Sequence, residues 1–186
     1  MMKRILSICL AAALTFALVG CGSEASQPSS GPKDYAAILS AARTEEDNSA
    51  IVIFTYKDGE EEQWGAQGAY AADLGKEDVE TQAEMGLEFL GLDEDDVTDA
   101  AFSVSLMNVQ AYGVAIVKPA EGKTDEVKEA LSAYIEAQKA AQQNYLADQY
   151  EIAKAAKLET LKSGEVVLVM CKGQDSVFSS IKDALK

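Results

Sequence analysis

Residues 102–118 read FSVSLMNVQAYGVAIVK. Two extended segments, about 101–106 and 110–118, are predicted to meet at a turn around Met107 and Asn108. In the second segment the run VAIV, residues 114–117, is apolar at every position. An unbroken apolar run indicates a strand that is covered on both faces, because a half-exposed strand would alternate with polar residues. Residues 166–171, VVLVMC, have the same character, so these two runs predict the central strands of a sheet.

The flanking sequence adds helices and hairpins to this sheet. Apolar residues spaced three and four apart predict a helix over residues 77–90 that ends at Gly91. The pairs Asp58-Gly59 and Ser163-Gly164 predict tight turns, which join consecutive strands in antiparallel pairs. We therefore predict an α+β fold: a single domain with a mainly antiparallel sheet of about four to six strands packed against helices. Further strands are predicted at about 51–56 and 158–161, and further helices begin at Asp34, Thr124, Asp148 and Asp175.

The first twenty residues have the features of an export signal. Lys3 and Arg4 precede the uncharged run ILSICLAAALTFALV, which is too short for a membrane span of about 20 residues and fits the apolar region of a signal peptide. The run ends in Leu18-Val19-Gly20-Cys21, which resembles the lipobox of bacterial lipoproteins. This resemblance implies cleavage before Cys21 and attachment of a diacylglyceryl lipid to its sulfur, usually with an acyl chain on the new N-terminus, giving a palmitate-type anchor.

The residues after Cys21 predict a flexible tether. Gly22 to Lys33 read GSEASQPSSGPK, which is dominated by Gly, Ser and Pro and has no apolar period. Twelve residues span at most about 40 Å when fully extended, so the folded part is expected to stay near the membrane. The predicted organisation is a signal peptide at 1–20, the lipidated cysteine and tether at 21–33, and a single domain at 34–186.

The charge of the chain is strongly negative and unevenly distributed. The full chain has a net charge of −15; removal of residues 1–20 takes away two cations, leaving 14 Lys and Arg against 31 Asp and Glu. Residues 45–99 hold 18 of these acids and only two bases. The mature chain is expected to repel nucleic acid and anionic lipid surfaces, and its acidic subregion, residues 45–99, is expected to favour a basic envelope protein, a cationic ligand or metal ions. We also expect this subregion to face away from the membrane to which the tether leads.

The composition excludes several kinds of catalytic site. The chain has no histidine, which excludes Ser-His-Asp and Cys-His mechanisms and histidine metal ligands. After loss of Cys9 with the signal and lipidation of Cys21, only Cys171 remains, in an apolar run typical of a buried thiol. The segment 118–124 ends in GKT, but Val117 occupies the position where a phosphate-binding loop needs glycine. No catalytic residue and no cofactor is therefore predicted, apart from the covalent lipid on Cys21.

Four closely spaced aspartates could indicate a metal site, but their spacing does not match that of a known calcium-binding loop. Asp93, Asp95, Asp96 and Asp99 lie within seven residues, and carboxylate oxygens are the ligands preferred by Ca²⁺. An EF-hand loop starting at Asp93 would need glycine at its sixth position and glutamate at its twelfth, where this chain has Thr98 and Val104. These aspartates are thus weak metal candidates, and a solvated helix start capped by Asp93 is the preferred interpretation.

The chain resembles a known family from about residue 80 to residue 185. The resemblance is carried by SVSLMNVQAY at 103–112, VAIVK at 114–118 and DQYEIAK at 148–154. These segments are similar to the domain-of-unknown-function family 4358, whose members are mostly short lipoproteins of Gram-positive Firmicutes. The resemblance implies a cell-surface location on the outer face of the membrane, and it implies no activity, cofactor or site residue.

The leading functional hypothesis is a membrane-anchored, extracytoplasmic lipoprotein that acts as a non-enzymatic binding or accessory module of the cell envelope. One alternative is an envelope hydrolase or transferase that uses carboxylates, which requires an Asp or Glu with a raised pKa in a pocket. A second alternative is a lipoprotein that binds calcium-type metal ions through carboxylates alone.

Overall fold

A computed structural model of the chain describes residues 33–107 and 109–186. The described residues belong to one compact unit that extends over Gly31–Lys186. Its helices are α1 (Tyr35–Ala42), α2 (Glu45–Ala50), α3 (Lys76–Phe89), α4 (Thr124–Gln142), α5 (Ala147–Lys154) and α6 (Gln174–Ala184), and its strands are β1 (Ile53–Lys57), β2 (Trp64–Gln67), β3 (Val97–Val104), β4 (Gly113–Pro119), β5 (Lys157–Thr160) and β6 (Val166–Met170). Two short 3₁₀ turns, Ala71–Asp73 and Glu94–Asp96, complete these elements.

The predicted signal peptide, Cys21 and the tether up to residue 32 lie outside the described residues. Cleavage, lipidation and tethering therefore stay predictions. Within the described residues, no helix combines the length and the apolar character needed to cross a membrane.

The six described strands form one sheet in the order β2-β1-β3-β4-β6-β5. Each neighbouring pair is antiparallel, which confirms the predicted α+β fold class with a mainly antiparallel sheet. β3 and β4 form the central hairpin, and β6 lies beside β4. The two apolar runs thus predicted interior strands correctly.

Two helical connections cross the sheet over an intervening strand, a feature that the predicted succession of hairpins did not include. β1 is antiparallel to both β2 and β3, so β2 and β3 run in the same direction with β1 between them. α3 makes this connection. In the same way, α4 and α5 connect β4 to the parallel strand β5 on the far side of β6.

Both faces of the sheet are covered, which explains why the central strands are apolar at every position. Ala115 and Val117 face one core together with buried residues of α3, α4 and α5. Val114 and Ile116 face a second core together with buried residues of α1 and α6. Because successive side chains of a strand point to opposite faces, a strand between two helical layers has no position left for a polar residue.

The structure differs from the predicted elements in the acidic part of the chain. α2 was not predicted, because its sequence EEDNSA offers no apolar face. Its first turn is instead held by a capping box, in which Thr44 and Asp47 exchange hydrogen bonds between side chain and backbone. The segment from Glu60 to Gly65 is too acidic for a central strand and predicts a short edge strand or a loop; in the structure residues 60–63 form a solvated turn, and the edge strand β2 begins at Trp64.

The described chain enters at the end of the sheet where Lys57, Asp99 and Lys118 lie side by side. Lys33 Nζ donates hydrogen bonds to Glu165 Oε1 at 3.2 Å and to the Leu185 carbonyl oxygen at 2.7 Å. The acidic turns at 58–62 and 93–96 adjoin the same strand ends. These two turns thus lie on the same side of the domain as Asp34, which counts against the expectation that the whole acidic subregion faces away from the membrane; α2 lies at the opposite end of β1.

Candidate functional site

A cleft of about 540 Å³ lies at the end of the sheet opposite Lys33. It is bounded by α2, by α3 and by the loop over residues 105–112 that connects β3 to β4. This volume falls within the range of about 300–1,000 Å³ usual for ligand sites. The lining residues are Glu46, Asp47, Ala50, Ile51, Val52, Phe54, Tyr70, Gln82, Gly86, Val104, Ser105, Leu106, Met107 and Gln110.

The floor of the cleft depends on a close approach between α3 and the sheet at Gly86. A Cβ atom built at Gly86 would lie 2.8 Å from Phe102 Cε2 and 3.6 Å from a methyl group of Val104. Real Cβ atoms do not approach other carbon atoms to 2.8 Å, so only glycine permits this separation of helix and strand. Phe54 packs beside Phe102, with ring centroids 6.1 Å apart, and completes an apolar floor.

The β3–β4 loop is fixed at its base and exposed at its tip. Ser105 N donates to the Tyr112 carbonyl oxygen at 3.2 Å, and Ala111 N donates to Gln149 Oε1 of α5 at 3.0 Å. Tyr134 Oη of α4 donates to the same Tyr112 oxygen at 2.9 Å. At the tip the side chains are apolar and solvent-exposed. The exposed fraction is 48% for Leu106, 66% for Met107 and 54% for Val109.

One wall of the cleft is acidic and lacks a neutralising cation. Glu46 and Asp47 line it, and neither forms an ion pair with another residue of the described chain. Asp47 Oδ2 accepts a hydrogen bond of 2.8 Å from Thr44 Oγ1, which is neutral. α2 adds a third acid, Glu45, and contains no base. The cleft thus combines an apolar floor and rim with carboxylates that form no ion pair in the described chain.

The nearest arginine, Arg43, supports this wall but forms no ion pair with Glu46 or Asp47. Arg43 is buried, and its Nη2 donates to the backbone carbonyl oxygen of Asp47 at 2.9 Å. The guanidinium lies 5.7 Å from the centroid of the Tyr112 ring, which is a cation–π distance. Burial raises the pKa of Tyr112 to about 12, although Arg43 acts to lower it. Arg43 therefore connects α2 to the base of the loop.

Comparison with family descriptions gives a match over residues 70–171 to the domain of unknown function DUF4358. The matched part covers more than half of the chain. The chain belongs to the DUF4358 family. This confirms the predicted family, although the match begins earlier and ends earlier than the predicted range of 80–185. Comparison with curated proteins and with solved structures found no match.

The cleft is shared between the DUF4358 region and the part of the chain before it. Tyr70, α3 and the β3–β4 loop lie inside the matched range, whereas α2 and β1 precede it. The acidic wall therefore comes from outside the DUF4358 match, and the exposed apolar loop comes from inside it. Sequence reasoning missed this site, although three apolar residues in a predicted turn were a signal that it could have used.

The four weak metal candidates of this DUF4358 member are not brought together. Asp93 and Asp96 hold the 93–96 turn, where Asp93 N donates to Asp96 Oδ2 at 3.1 Å. Lys123 Nζ lies 3.2 Å from Asp96 Oδ1, and Asp95 is exposed. In the described residues no group of three or more Asp, Glu or Cys side chains is arranged to hold a metal ion.

Asp99 lies apart from the other three aspartates, on β3. Its pKa is raised by burial, with Lys57 opposing the shift and the Asp34 carboxylate adding to it. Its neighbours are thus charged side chains at the Lys33 end of the sheet, and it does not line the cleft described above.

Cys171 is buried on the α1 and α6 face of the sheet, as its apolar surroundings predicted. Burial raises the pKa of its thiol to about 11, and Asp47 adds to this shift while Arg43 opposes it. A nucleophilic or metal-binding cysteine needs a thiolate, which requires a lowered pKa. The geometry therefore favours a structural role for Cys171.

Proposed function

We propose that this DUF4358 protein is a lipid-anchored lipoprotein of the outer membrane face in a Gram-positive envelope, and that it acts as a non-enzymatic binding module. The observation that carries the binding function is the β3–β4 loop, which exposes Leu106, Met107 and Val109; Leu106 and Met107 line the cleft. Large side chains that could have packed in a core are displayed to solvent instead. Clustered apolar exposure of this kind is typical of interaction sites.

The chemistry of the cleft supports binding rather than catalysis. Its lining contains no histidine, cysteine or lysine. Within the described chain, no side chain that could act as a general base is hydrogen-bonded to the Ser105 hydroxyl, and such a hydrogen bond is the arrangement that activates a nucleophile. Ser105 is the hydroxyl side chain at the loop, and its Oγ lies 3.5 Å from the Met107 carbonyl oxygen. In the described residues, no specific observation favours a carboxylate-based hydrolase or a calcium-binding lipoprotein.

Lipidation is proposed from the export signal and the lipobox-like segment ending at Cys21. A cell culture fed an alkyne-labelled fatty acid tests it. We expect the label to enter the wild-type protein and the Cys9→Ser variant, because Cys9 leaves with the signal. It should not enter the Cys21→Ser variant. Equal labelling of wild type and Cys21→Ser would refute the anchor.

The binding role of the cleft is tested with an uncharged naphthalene dye whose fluorescence increases in apolar sites, because an anionic dye would be repelled by Glu46 and Asp47. The chain from Gly22 onward is suitable, because it contains the whole compact unit. We expect dye binding to fall when Leu106 and Met107 are both changed to serine. Tyr145→Ser is the matched control, since Tyr145 is 73% exposed but does not line the cleft. Unchanged binding in the Leu106 and Met107 variant would contradict the proposal.

A further inference from the structure

We propose that the ligand of this cleft is a short peptide segment of a partner protein in which a Lys or Arg side chain adjoins an apolar side chain. This inference rests on the proposed binding function and adds the chemical class of the ligand. It follows from three properties of the lining: its apolar surface, its charge and its free amide groups.

The apolar surface defines where the hydrophobic side chain of the ligand would lie. Phe54 and Val104 form the floor, and the exposed side chains of Tyr70 and Met107 stand at the rim. Methionine is unbranched and polarisable, so it adapts its shape to different apolar partners. A ligand side chain between Tyr70 and Met107 would cover apolar surface that is now exposed to water, which favours binding.

The negative charge of the cleft indicates which ligand group would lie next to this apolar side chain. Glu46 and Asp47 line the cleft, no Lys or Arg does, and neither acid is ion-paired within the described chain. Glu46 is exposed and can turn toward a ligand without losing an existing partner. A cationic side chain would therefore gain attraction without competing against a cation already bound to the acids.

The amide groups favour a peptide over a simple organic cation. Gln82 on α3 and Gln110 on the loop line the cleft from two sides. Their side chains form no hydrogen bond with any residue of the described chain. An amide offers both donors and an acceptor, which matches the N–H and C=O groups of a peptide backbone.

Other occupants fit these properties less well. Nucleic acids and anionic lipid surfaces carry the same sign of charge as the acidic wall. A second copy of the chain is itself strongly acidic, with a net charge of −15. The chain's own tether, GSEASQPSSGPK, has no large apolar side chain to place on the floor.

The test uses the chain from Gly22 and three fluorescent peptides of equal length and identical leucine positions. The remaining positions are Lys in one peptide, Gln in the second and Glu in the third. We expect fluorescence anisotropy to show that the Lys peptide binds about tenfold or more tightly than the Glu peptide at low salt. This preference should shrink as salt is added, because salt screens exposed charges.

Variants assign this preference to the cleft. Glu46→Gln should weaken binding of the Lys peptide about two- to fivefold and leave the Gln peptide unchanged. Glu61→Gln is the matched control: it removes an exposed acid from the turn at the other end of β1 and should change neither. Met107→Ser should weaken both peptides, whereas Tyr145→Ser should weaken neither.

Three results would overturn the inference, and they separate it from the proposed function. If all three peptides bind equally and Met107→Ser weakens all of them, the cleft binds ligands but does not select cations. If a simple alkylammonium ion displaces the Lys peptide as well as an unlabelled copy of that peptide does, the ligand class is a small cation. If no peptide binds while the naphthalene dye does, the cleft is apolar but does not recognise peptides. Loss of dye binding as well would refute the binding function itself.

Discussion

The hydroxyl group of Tyr134 on α4 donates a hydrogen bond of 2.9 Å to the backbone carbonyl oxygen of Tyr112, where the cleft loop rejoins the sheet. The Tyr134 ring also makes an edge contact with Phe89 of α3, at a centroid separation of 5.5 Å. One side chain thus connects two helices to the base of the loop. The positions of Leu106 and Met107 over the cleft depend on this base.

Tyr134→Phe should loosen the loop with a modest loss of stability. The substitution removes one buried hydrogen bond, and the Tyr112 oxygen keeps its bond from Ser105 N. We expect the free energy of unfolding to fall by about 0.5–1.5 kcal/mol, as measured in urea. Amide hydrogen exchange should become faster in residues 105–112 by a larger factor than in β6, where it should change only as much as the global stability does. Equal protection of the loop in both proteins would show that Tyr134 does not hold it.

Gly86→Ala should destabilise the domain although alanine is the better helix former. Alanine gains about 1 kcal/mol in helix propensity, but its Cβ would lie 2.8 Å from Phe102 Cε2. Overpacking of a core costs about 1–3 kcal/mol, so we expect a net loss in urea unfolding. The control is a double-mutant cycle with Phe102→Leu, which removes the ring. The penalty of Gly86→Ala should shrink in that background, and an unchanged penalty would contradict the contact.

Glu165→Gln should destabilise the domain at neutral pH and less so in acid. Burial acts to raise the pKa of Glu165, but hydrogen bonds from Ser163, its own backbone and Lys33 outweigh it and hold the pKa below the usual 4.5. The ionised form therefore stabilises the fold above the unfolded-state pKa, and this contribution is lost as pH falls through the folded-state pKa. We expect a loss of about 1.5–3 kcal/mol at pH 7.

The measurement for Glu165 is the unfolding free energy of wild type and variant between neutral pH and about pH 3, where the two should converge. Glu159→Gln is the control, because Glu159 pairs with Lys182 at the surface and such pairs contribute about 1 kcal/mol or less. A Glu165→Gln effect that is constant with pH would argue against an ionised, stabilising carboxylate.

Asp99→Asn should have the opposite dependence on pH. The pKa of Asp99 is raised, first by burial and then by Asp34, so the folded state binds its proton more tightly than the unfolded state does. Ionised Asp99 therefore lowers stability at neutral pH, and this cost disappears as pH falls below the unfolded-state value. We expect Asp99→Asn to equal or exceed wild-type stability at pH 7. A loss at pH 7 that persists in acid would be inconsistent with the raised pKa.

The thiol of Cys171 should report global unfolding. It is buried, and its pKa is raised to about 11, so little reactive thiolate forms at pH 8. The chain from Gly22 contains no other cysteine. We expect slow labelling by a thiol reagent in buffer and fast labelling in denaturant, measured by the mass of the protein. Equal rates in the two conditions would contradict the burial of this side chain.

The sequence was sufficient for the parts of the fold that rest on local patterns. β4 and β6 followed from the unbroken apolar runs, since each run is explained by two covered faces. α3 and its end at Gly91, which has a φ of +78°, followed from helical spacing and a C-terminal glycine. α2 could not be predicted in this way, because the buried Arg43, which follows α1, and a capping box hold a helix that has no apolar face.

The cleft could not be predicted because no single segment contains it. Its lining comes from residues 46–54, Tyr70, α3 and residues 104–110, which meet only through the crossover of α3 and the pairing of β1 with β3. The uneven charge was visible in the sequence, but its division between the two ends of the sheet was not. That division depends on which strand ends meet, and strand order is a long-range property.

In the hairpin of β3 and β4, the residues proposed to bind a ligand are separate from the residues that hold the fold. Seven paired positions, from Val97 with Pro119 to Val104 with Gly113, hold its register. The apolar side chains at its tip have exposed fractions of 48% to 66% and contribute little to either core. The entropy of closing a loop grows only slowly with its length. The tip of the loop can therefore be replaced by longer or chemically different sequences on the same two strands. Such a replacement would change the ligand that the domain recognises and leave its fold unchanged.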